Sequence, residues 1–435
     1  MKALNIPENK HPRVVVIGGG FAGINLIKNL KGKPFQIVLL DKHNYHTFQP
    51  LLYQVATAGL EPDSIAYPLR KIFKDFKHFH FRVATAQSVD LKTKILLTDR
   101  GPLDFDHLII ATGSDTNYFG NESVRELSMS MKTVPEALNL RSLMLQNFEE
   151  ALLTDNYSER EALMNFVIVG AGPTGVELAG ALAELKNVVL PKDYPDLDIR
   201  QMNIHLVEAA GKVLPPMSDE SSARAQRYLE KLGVQVWLDT MVKDYDGKKV
   251  LTNKKDLPTR TLIWAAGVTG NTLEGVPSES MEKGRILVDE FNRIKGTESF
   301  FAIGDVALMK TEQKPKGDPM VAQTAIQQGE TLAKNLLRSS SGKEMKPFHY
   351  KDKGSMATVG RNKAVVDIKK FHFGGLFAWF LWMVVHLVAL VGFRNRAVAL
   401  LNWVYNYFSY DKGIRLIIRP WKRKITIPKE ETPTV

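Results

Sequence analysis

The 435-residue chain contains no cysteine. That absence removes disulfide scaffolds, zinc–thiolate sites, iron–sulfur clusters and cysteine nucleophiles together. Met1 to Pro12 is polar, with no hydrophobic stretch of signal-peptide length, so no export signal is expected there and the body is read as cytosolic. Positive charge along the whole length is missing too. The net charge is +11, yet residues 368–435 hold 11 Lys and Arg against 3 acids, which is +8 of it. The rest is nearly neutral, which excludes a nucleic-acid binder that is basic throughout. With 44% hydrophobic residues the chain can bury a real core, and its length allows two or three domains.

A short β-branched run, Arg13 to Ile17, reads as a buried parallel strand and leads directly into Gly18-Gly19-Gly20-Phe21-Ala22-Gly23. A helical pattern follows, then a second strand ending at Asp41, 23 residues after Gly18. A G-x-G-x-x-G match alone is weak. Strand before, helix after and acid beyond give it weight. Glycine permits the tight turn and lets backbone approach a pyrophosphate, the helix N-terminus offers N–H groups, and the acid accepts from ribose hydroxyls. The alternative is a turn that only packs. The pattern recurs: a strand at Phe166 to Val169, then Gly170, Gly172, Pro173, Thr174 and Gly175, then a helix, then a strand ending at Glu208. Glu208 comes 38 residues after Gly170, the extra length being a surface excursion. A carboxylate there favours NAD over NADP unless it is only a solvated strand end. Glu177 is placed in the first helical turn, where it either serves the site or simply favours the helix dipole. Two dinucleotide sites imply two dinucleotides, and a flavin beside a nicotinamide would exchange hydride between stacked rings.

Ala111-Thr112-Gly113, Ala265-Ala266-Gly267 and Ile303-Gly304-Asp305 resemble motifs of the two-dinucleotide-binding-domain flavoproteins. That resemblance implies FAD on the first loop, NAD(P)H on the second, and Asp305 at the flavin's ribityl and pyrophosphate region. Disulfide reductases and sulfide:quinone reductases need cysteines and are excluded. Two longer stretches, Asp41-Lys42-His43-Asn44-Tyr45-His46-Thr47-Phe48-Gln49-Pro50-Leu51-Leu52-Tyr53-Gln54-Val55-Ala56 and Ala322-Gln323-Thr324-Ala325-Ile326-Gln327-Gln328-Gly329, look like type II NADH dehydrogenases, the non-pumping NADH:quinone oxidoreductases. The resemblance runs from about Arg13 to Pro420. It implies non-covalent FAD held by Gly18, Gly19, Gly20, Phe21, Ala22, Gly23, Asp41, Lys42, Phe48, Ala111, Thr112, Gly113, Asp305 and Gln323. It implies NADH on Gly170, Gly172, Pro173, Thr174, Gly175, Glu177, Glu208 and Gly267. Glu177, Gln323 and Gln327 take the catalytic roles, with both glutamines lining the quinone pocket. Hydride would pass from NADH C4 to flavin N5, then two electrons to quinone. No EF-hand loop pattern occurs, so neither calcium regulation nor any other metal is expected.

Phe371 to Phe393 carries no Asp, Glu, Lys or Arg over 23 residues, long enough to span a bilayer. The body must meet NADH, and the following segment carries Arg394, Arg396, Lys412, Arg415, Arg419, Lys422, Arg423 and Lys424. One span cannot leave both flanks on one side. On 395–409, Asn395, Asn402, Asn406 and Ser409 form one polar helical stripe opposed to Ala397, Leu401, Val404, Tyr405 and Phe408. Two helices lying in one leaflet, with basic residues on anionic lipid, are expected. The alternatives are a buried helix pair, a dimer interface or a true span. His386 reads as a satisfied core histidine in preference to a quinone ligand.

The expected architecture is α/β, with two Rossmann-like dinucleotide-binding domains and a C-terminal amphipathic helical membrane-docking region. Residues 1–120 and 280–365 form the FAD domain, 121–279 the NADH domain with a preceding helical connection, and 366–435 the membrane region. The expected partners are a quinone and a lipid surface at the cytoplasmic face of the inner membrane, with room for a homodimer through the tail and no nucleic acid. A reductase of a soluble iron–sulfur protein, for which the tail would be dispensable, and a redox-sensing flavoprotein are the rivals.

Overall fold

The computed structural model describes residues 4–409, 415–417 and 420–422. The chain opens with β1 (Arg13–Ile17), α1 (Phe21–Asn29), β2 (Gln36–Asp41), β3 (Phe79–Val83) and β4 (His107–Ile110). A helical connection that includes α2 (Val134–Leu153) leads to β5 (Phe166–Val169), α3 (Pro173–Glu184), β6 (Ile204–Val207), β7 (Val234–Trp237) and β8 (Thr261–Trp264). The chain then returns to the first unit with β9 (Phe300–Ala302) and α4 (Ala322–Ser340). It closes with β10 (Ser355–Thr358), β11 (Ala364–Ile368), β12 (Phe371–Gly374), α5 (Leu376–Ala389) and α6 (Phe393–Ser409).

The first sheet has the order β9-β4-β1-β2-β3 and the second β7-β6-β5-β8, with every pairing parallel. Their central strands are buried on both faces, which is why they read as unbroken apolar runs. In each sheet the chain steps from the central strand to opposite sides, so a crevice opens at the carboxyl ends of β1/β4 and of β5/β8. Ser114–Thr116 pairs antiparallel with Val268–Gly270 and ties the two units together. Helix α4 crosses α1 closely, for a Cβ on Gly329 would sit 2.4 Å from Ala22 O. The antiparallel sheet β10-β11-β12 packs on α3. The expected junction at 365/366 falls inside β11, so the C-terminal unit starts earlier, before β10.

The uncharged run from Phe371 does not form one helix. It supplies β12, breaks at Gly375 (φ +85), forms the 14-residue α5 and breaks again at Gly392 (φ +89). Among the described residues no helix is long and apolar enough to cross a membrane. The three asparagines of the α6 stripe face the body, while Ser409 is exposed and donates to Tyr405 O of its own helix. Asn395 Nδ2 donates to Asp63 O and Ala66 O, Asn402 Nδ2 to Glu61 Oε2, and Asn406 Nδ2 to Gly59 O. The apolar side therefore points outward, with Leu401 68% and Phe408 79% exposed, and Phe377, Phe380 and Val388 of α5 exposed beside them. A buried helix pair is thereby ruled out. Arg394 pairs with Asp63, and Arg415 with Asp193, so these cations face the body's acids as well as solvent. Lys412, Arg419, Arg423 and Lys424 lie outside the described residues.

Candidate functional site

A cavity of about 540 Å³, within the ~300–1,000 Å³ usual for ligand sites, opens at the carboxyl ends of β1, β4 and β9. Gly18 turns at φ +109, where a Cβ would sit 2.3 Å from Ala111 O, and a Cβ on Gly23 would sit 2.0 Å from Gly18 O. Side chains are excluded at both, so α1 starts hard against the sheet. Gly20 faces open space and leaves its backbone free to approach a ligand. Asp41 accepts from Gly19 N–H at 2.6 Å and His43 N–H at 2.7 Å, and burial raises its carboxyl above the ordinary range. His46, pushed down to about 4 by burial, is neutral and donates Nδ1–H to Gly19 O at 3.0 Å. Gly19 is thus held from both sides. Across the cavity Asp305 accepts from Ser114 Oγ at 2.7 Å, and Lys132 Nζ donates to the same hydroxyl at 3.1 Å.

Helices α1, α3 and α4 begin without a side-chain cap, whereas α2 carries a Thr133–Glu136 capping box. These three ends open on this one cavity, through Phe21 and Ala22, Pro173 and Thr174, and Val321 and Ala322. Unmet N–H groups carry the positive end of each helix dipole. A pyrophosphate and an electron-accepting ring fit such a setting, so the residues present suit a dinucleotide.

The second loop repeats the device. A Cβ on Gly170 (φ +99) would sit 2.8 Å from the backbone of Ala265 and Ala266, and one on Gly175 1.9 Å from Gly170 O. Glu208 accepts from Ala171 N–H at 2.6 Å and Ala210 N–H at 2.9 Å. It is no mere solvated strand end. Each acid braces its own loop from the end of the following strand.

Glu177 departs from expectation. Helix α3 begins at Pro173, so Glu177 stands in its second turn and turns inward, 6% exposed. Its Oε1 accepts from Thr358 N–H at 3.3 Å and from Trp382 Nε1–H of α5 at 3.2 Å. Burial lifts its pKa to about 8, against which these two donors pull, so it is mostly protonated at neutral pH. Behind it lies a second, largely apolar cavity of about 140 Å³, lined among others by Val188, Trp379, Trp382, Met383 and Trp403. Glu177 and Tyr53 line both cavities and form the wall between them. Tyr53 is buried, and its hydroxyl accepts from Gln54 Nε2 at 2.9 Å while Trp403 Nε1 donates to Gln54 Oε1 at 2.8 Å. Helices α5 and α6 therefore complete this wall.

Gln323 and Gln327 line neither cavity. Gln323 bonds Gly354 O and Lys353 N–H, and Gln327 bonds both backbone groups of Lys351, so the two amides hold the approach to β10 as an added strand would. The neighbouring Gln328 accepts from Gly304 N–H at 2.7 Å and fixes the turn that presents Asp305. Lys42 lines the large cavity. Phe48 is buried behind it, edge-on to Phe21 and to His386. His386 donates Nδ1–H to Trp382 O at 2.7 Å, so the ring is satisfied as expected, but it is not enclosed in the core. It borders the large cavity, stacks on Trp382 with centroids 4.1 Å apart, and burial holds it near 4, hence neutral. Among the described residues no cluster could hold a metal ion.

The model of the pyridine nucleotide-disulphide oxidoreductases matches residues 12–329, and the NDH2 C-terminal domain matches 352–409. The type II NADH:quinone oxidoreductase NdhA of Mycobacterium tuberculosis is 38% identical over 92% of this chain and 88% of its own length. The chain belongs to the type II NADH:quinone oxidoreductases. A Staphylococcus aureus member is 30% identical over 81% of this chain and 89% of its own. The structure of NDH2 from Plasmodium falciparum in complex with NADH superposes with a TM-score of 0.87 at 21% identity, over 94% of this chain and all of that one. In this type II oxidoreductase the cavities are also lined by residues that the motifs did not announce: Lys132 beside Asp305, Tyr53 in the wall, and Trp382 on Glu177. Tyr53 stood inside a recognised motif without a role. Lys132 and Trp382 had no local signal, because only tertiary packing brings them in.

Proposed function

We propose that the chain oxidises NADH and reduces a membrane quinone by two electrons, without pumping protons. The observation that carries the reading is the shared wall of Glu177 and Tyr53, with dinucleotide loops on one side and an apolar cavity under the exposed helices on the other. FAD would be held non-covalently by Gly18 to Gly23, Asp41, Lys42, Ala111 to Gly113 and Asp305, and NADH by the Gly170–Gly175 loop and Glu208. The bound flavin supplies the two-electron link between nicotinamide and quinone. The protein's part is position and protons. Converting NADH, one proton and a quinone into NAD+ and a quinol consumes a proton, and Glu177 holds one at the wall. Thr358 N–H and Trp382 Nε1–H steady the carboxylate left after its release, and solvent replaces the proton.

The apolar cavity is where the quinone ring enters, ubiquinone or menaquinone alike. The outward apolar faces of α5 and α6 rest in one leaflet, which puts the cavity beside the lipid-soluble acceptor, at the cytoplasmic face of the membrane. The test is anaerobic, on detergent-solubilised protein. NADH should bleach the flavin quickly, NADPH slowly, and a soluble quinone should restore the colour. Bleaching with no recovery on quinone overturns the acceptor assignment and favours an iron–sulfur protein.

A further inference from the structure

The loop Asn117 to Asn121 joins the two units and is pinned at several points. Asn117 N–H donates to Gly267 O, Trp264 Nε1 donates to Asn117 O at 2.8 Å, and Tyr118 stacks on Trp264. Asn121 Oδ1 caps the helix Glu122–Leu127 through Val124 N–H at 3.0 Å. Phe119 N–H is held by Asn117 Oδ1 at 2.9 Å. Between these anchors one large apolar ring is left outside: Phe119 is 69% exposed. Its backbone sits at φ +52, a left-handed conformation that bulky residues rarely adopt.

The ring's place is specific. It lies over Gly267, where a Cβ would come 2.7 Å from Phe119 Cζ. Gly267 follows Ala265 and Ala266, and those two residues abut Gly170 of the second glycine loop. Phe119 therefore borders the β5/β8 crevice, across β5 from Glu208, at the carboxyl ends where such sheets bind ligands. An exposed aromatic face held at that rim by strained backbone, with nothing packed on its outer side, has the character of a stacking platform.

We propose that Phe119 is a positioning residue that clasps the bound nicotinamide dinucleotide against the Gly170–Gly175 loop, opposite the Glu208 brace. This rests on the assignment of the second loop to NADH. The clasp acts in binding and takes no part in hydride transfer. The alternative is a ring that merely covers Gly267.

Two measurements on the flavin-loaded protein test it. Calorimetry gives the Kd for NAD+, and anaerobic stopped-flow gives the half-saturating NADH and the limiting rate of flavin bleaching. Phe119→Ala should raise both binding constants about tenfold, as loss of one aromatic stack does, with the limiting rate within about twofold of wild type. Phe119→Trp should restore them. Phe119→Gly relieves the positive φ, so it should bind as weakly as Phe119→Ala with no fall in Tm. If Ala and Gly variants bind as wild type does, and only Tm moves, the clasp is wrong and the ring is a cover. If wild type itself neither binds NAD+ nor bleaches with NADH, the assignment of the loop falls first and the clasp with it.

Discussion

Glu177 keeps a carboxyl almost fully buried, and the consequence is a pH dependence of known sign. Its folded pKa of about 8 lies above the ordinary 4.5. Below pH 4.5 folded and unfolded chains both hold the proton. Between 4.5 and 8 the unfolded chain releases it and the folded one does not, so this group's contribution falls as pH rises, by about 1.4 kcal/mol per unit. Urea midpoints of wild type and Glu177→Gln should diverge across that window, with the Gln variant gaining relative stability toward pH 8. A constant difference would mean that the carboxyl is hydrated. Removing the indole donor with Trp382→Phe should raise the Glu177 pKa further, and the pH at which quinone reoxidation changes should move up with it. Glu208 invites a different substitution. With NADH on the second loop as proposed, its carboxylate would repel a 2′-phosphate, so Glu208→Gln should lower the NADH-over-NADPH preference in kcat/KM by about tenfold.

Helix α6 shows how one amphipathic pattern can be mounted in two ways. A polar stripe on a surface helix commonly meets water, and here it meets the carbonyls and carboxylate of residues 59–66. Asparagine suits this, because its amide can satisfy carbonyls that would otherwise be buried unpaired. The mounting leaves the hydrophobic side of α6, with that of α5, as one outward apolar surface larger than isolated exposed residues would give. Leu401→Glu with Phe408→Glu should abolish flotation with lipid vesicles. Both side chains are exposed, so stability should change by less than about 0.5 kcal/mol each, and reduction of a soluble quinone should persist. Retained flotation in the double variant would place membrane contact elsewhere.

Three units meet around Glu177: the unit of the first glycine loop through Tyr53, the unit of the second through α3, and the C-terminal unit through Thr358 and Trp382. The seam between the last two is made of backbone. A Cβ on Gly180 of α3 would come 2.9 Å from Gly360 N and 3.1 Å from Val359 C. Gly180→Val must push the C-terminal sheet off α3, at a cost of about 1–3 kcal/mol. Tm should fall. Quinone reoxidation should slow much more than NADH bleaching, because the wall opens while both glycine loops keep their own strands. Equal slowing of both half-reactions would show that the seam matters only for stability.

Residues whose placement depends on near neighbours were legible in the chain alone. The glycine loops, Asp41 and Glu208 announce themselves because strand, turn and helix are consecutive, and steric exclusion at Gly18, Gly23, Gly170 and Gly175 is a local matter. So too was the apolar character of the C-terminal pair, from the uncharged run that holds α5 and the stripe of α6. What needed the tertiary structure was direction and company. Glu177 looks the same in sequence whether it faces a helix dipole or a closed wall, and only the arrival of Trp382, 205 positions later, decides. Gln323 and Gln327 resemble pocket residues until the segment 351–354 is seen to take up their amides. The stripe on α6 fixes a polar face by periodicity, but which surface that face meets depends on unmatched carbonyls more than 300 residues earlier. Hydrogen-bond demand of that kind is set by the whole fold, and no spacing along the chain records it.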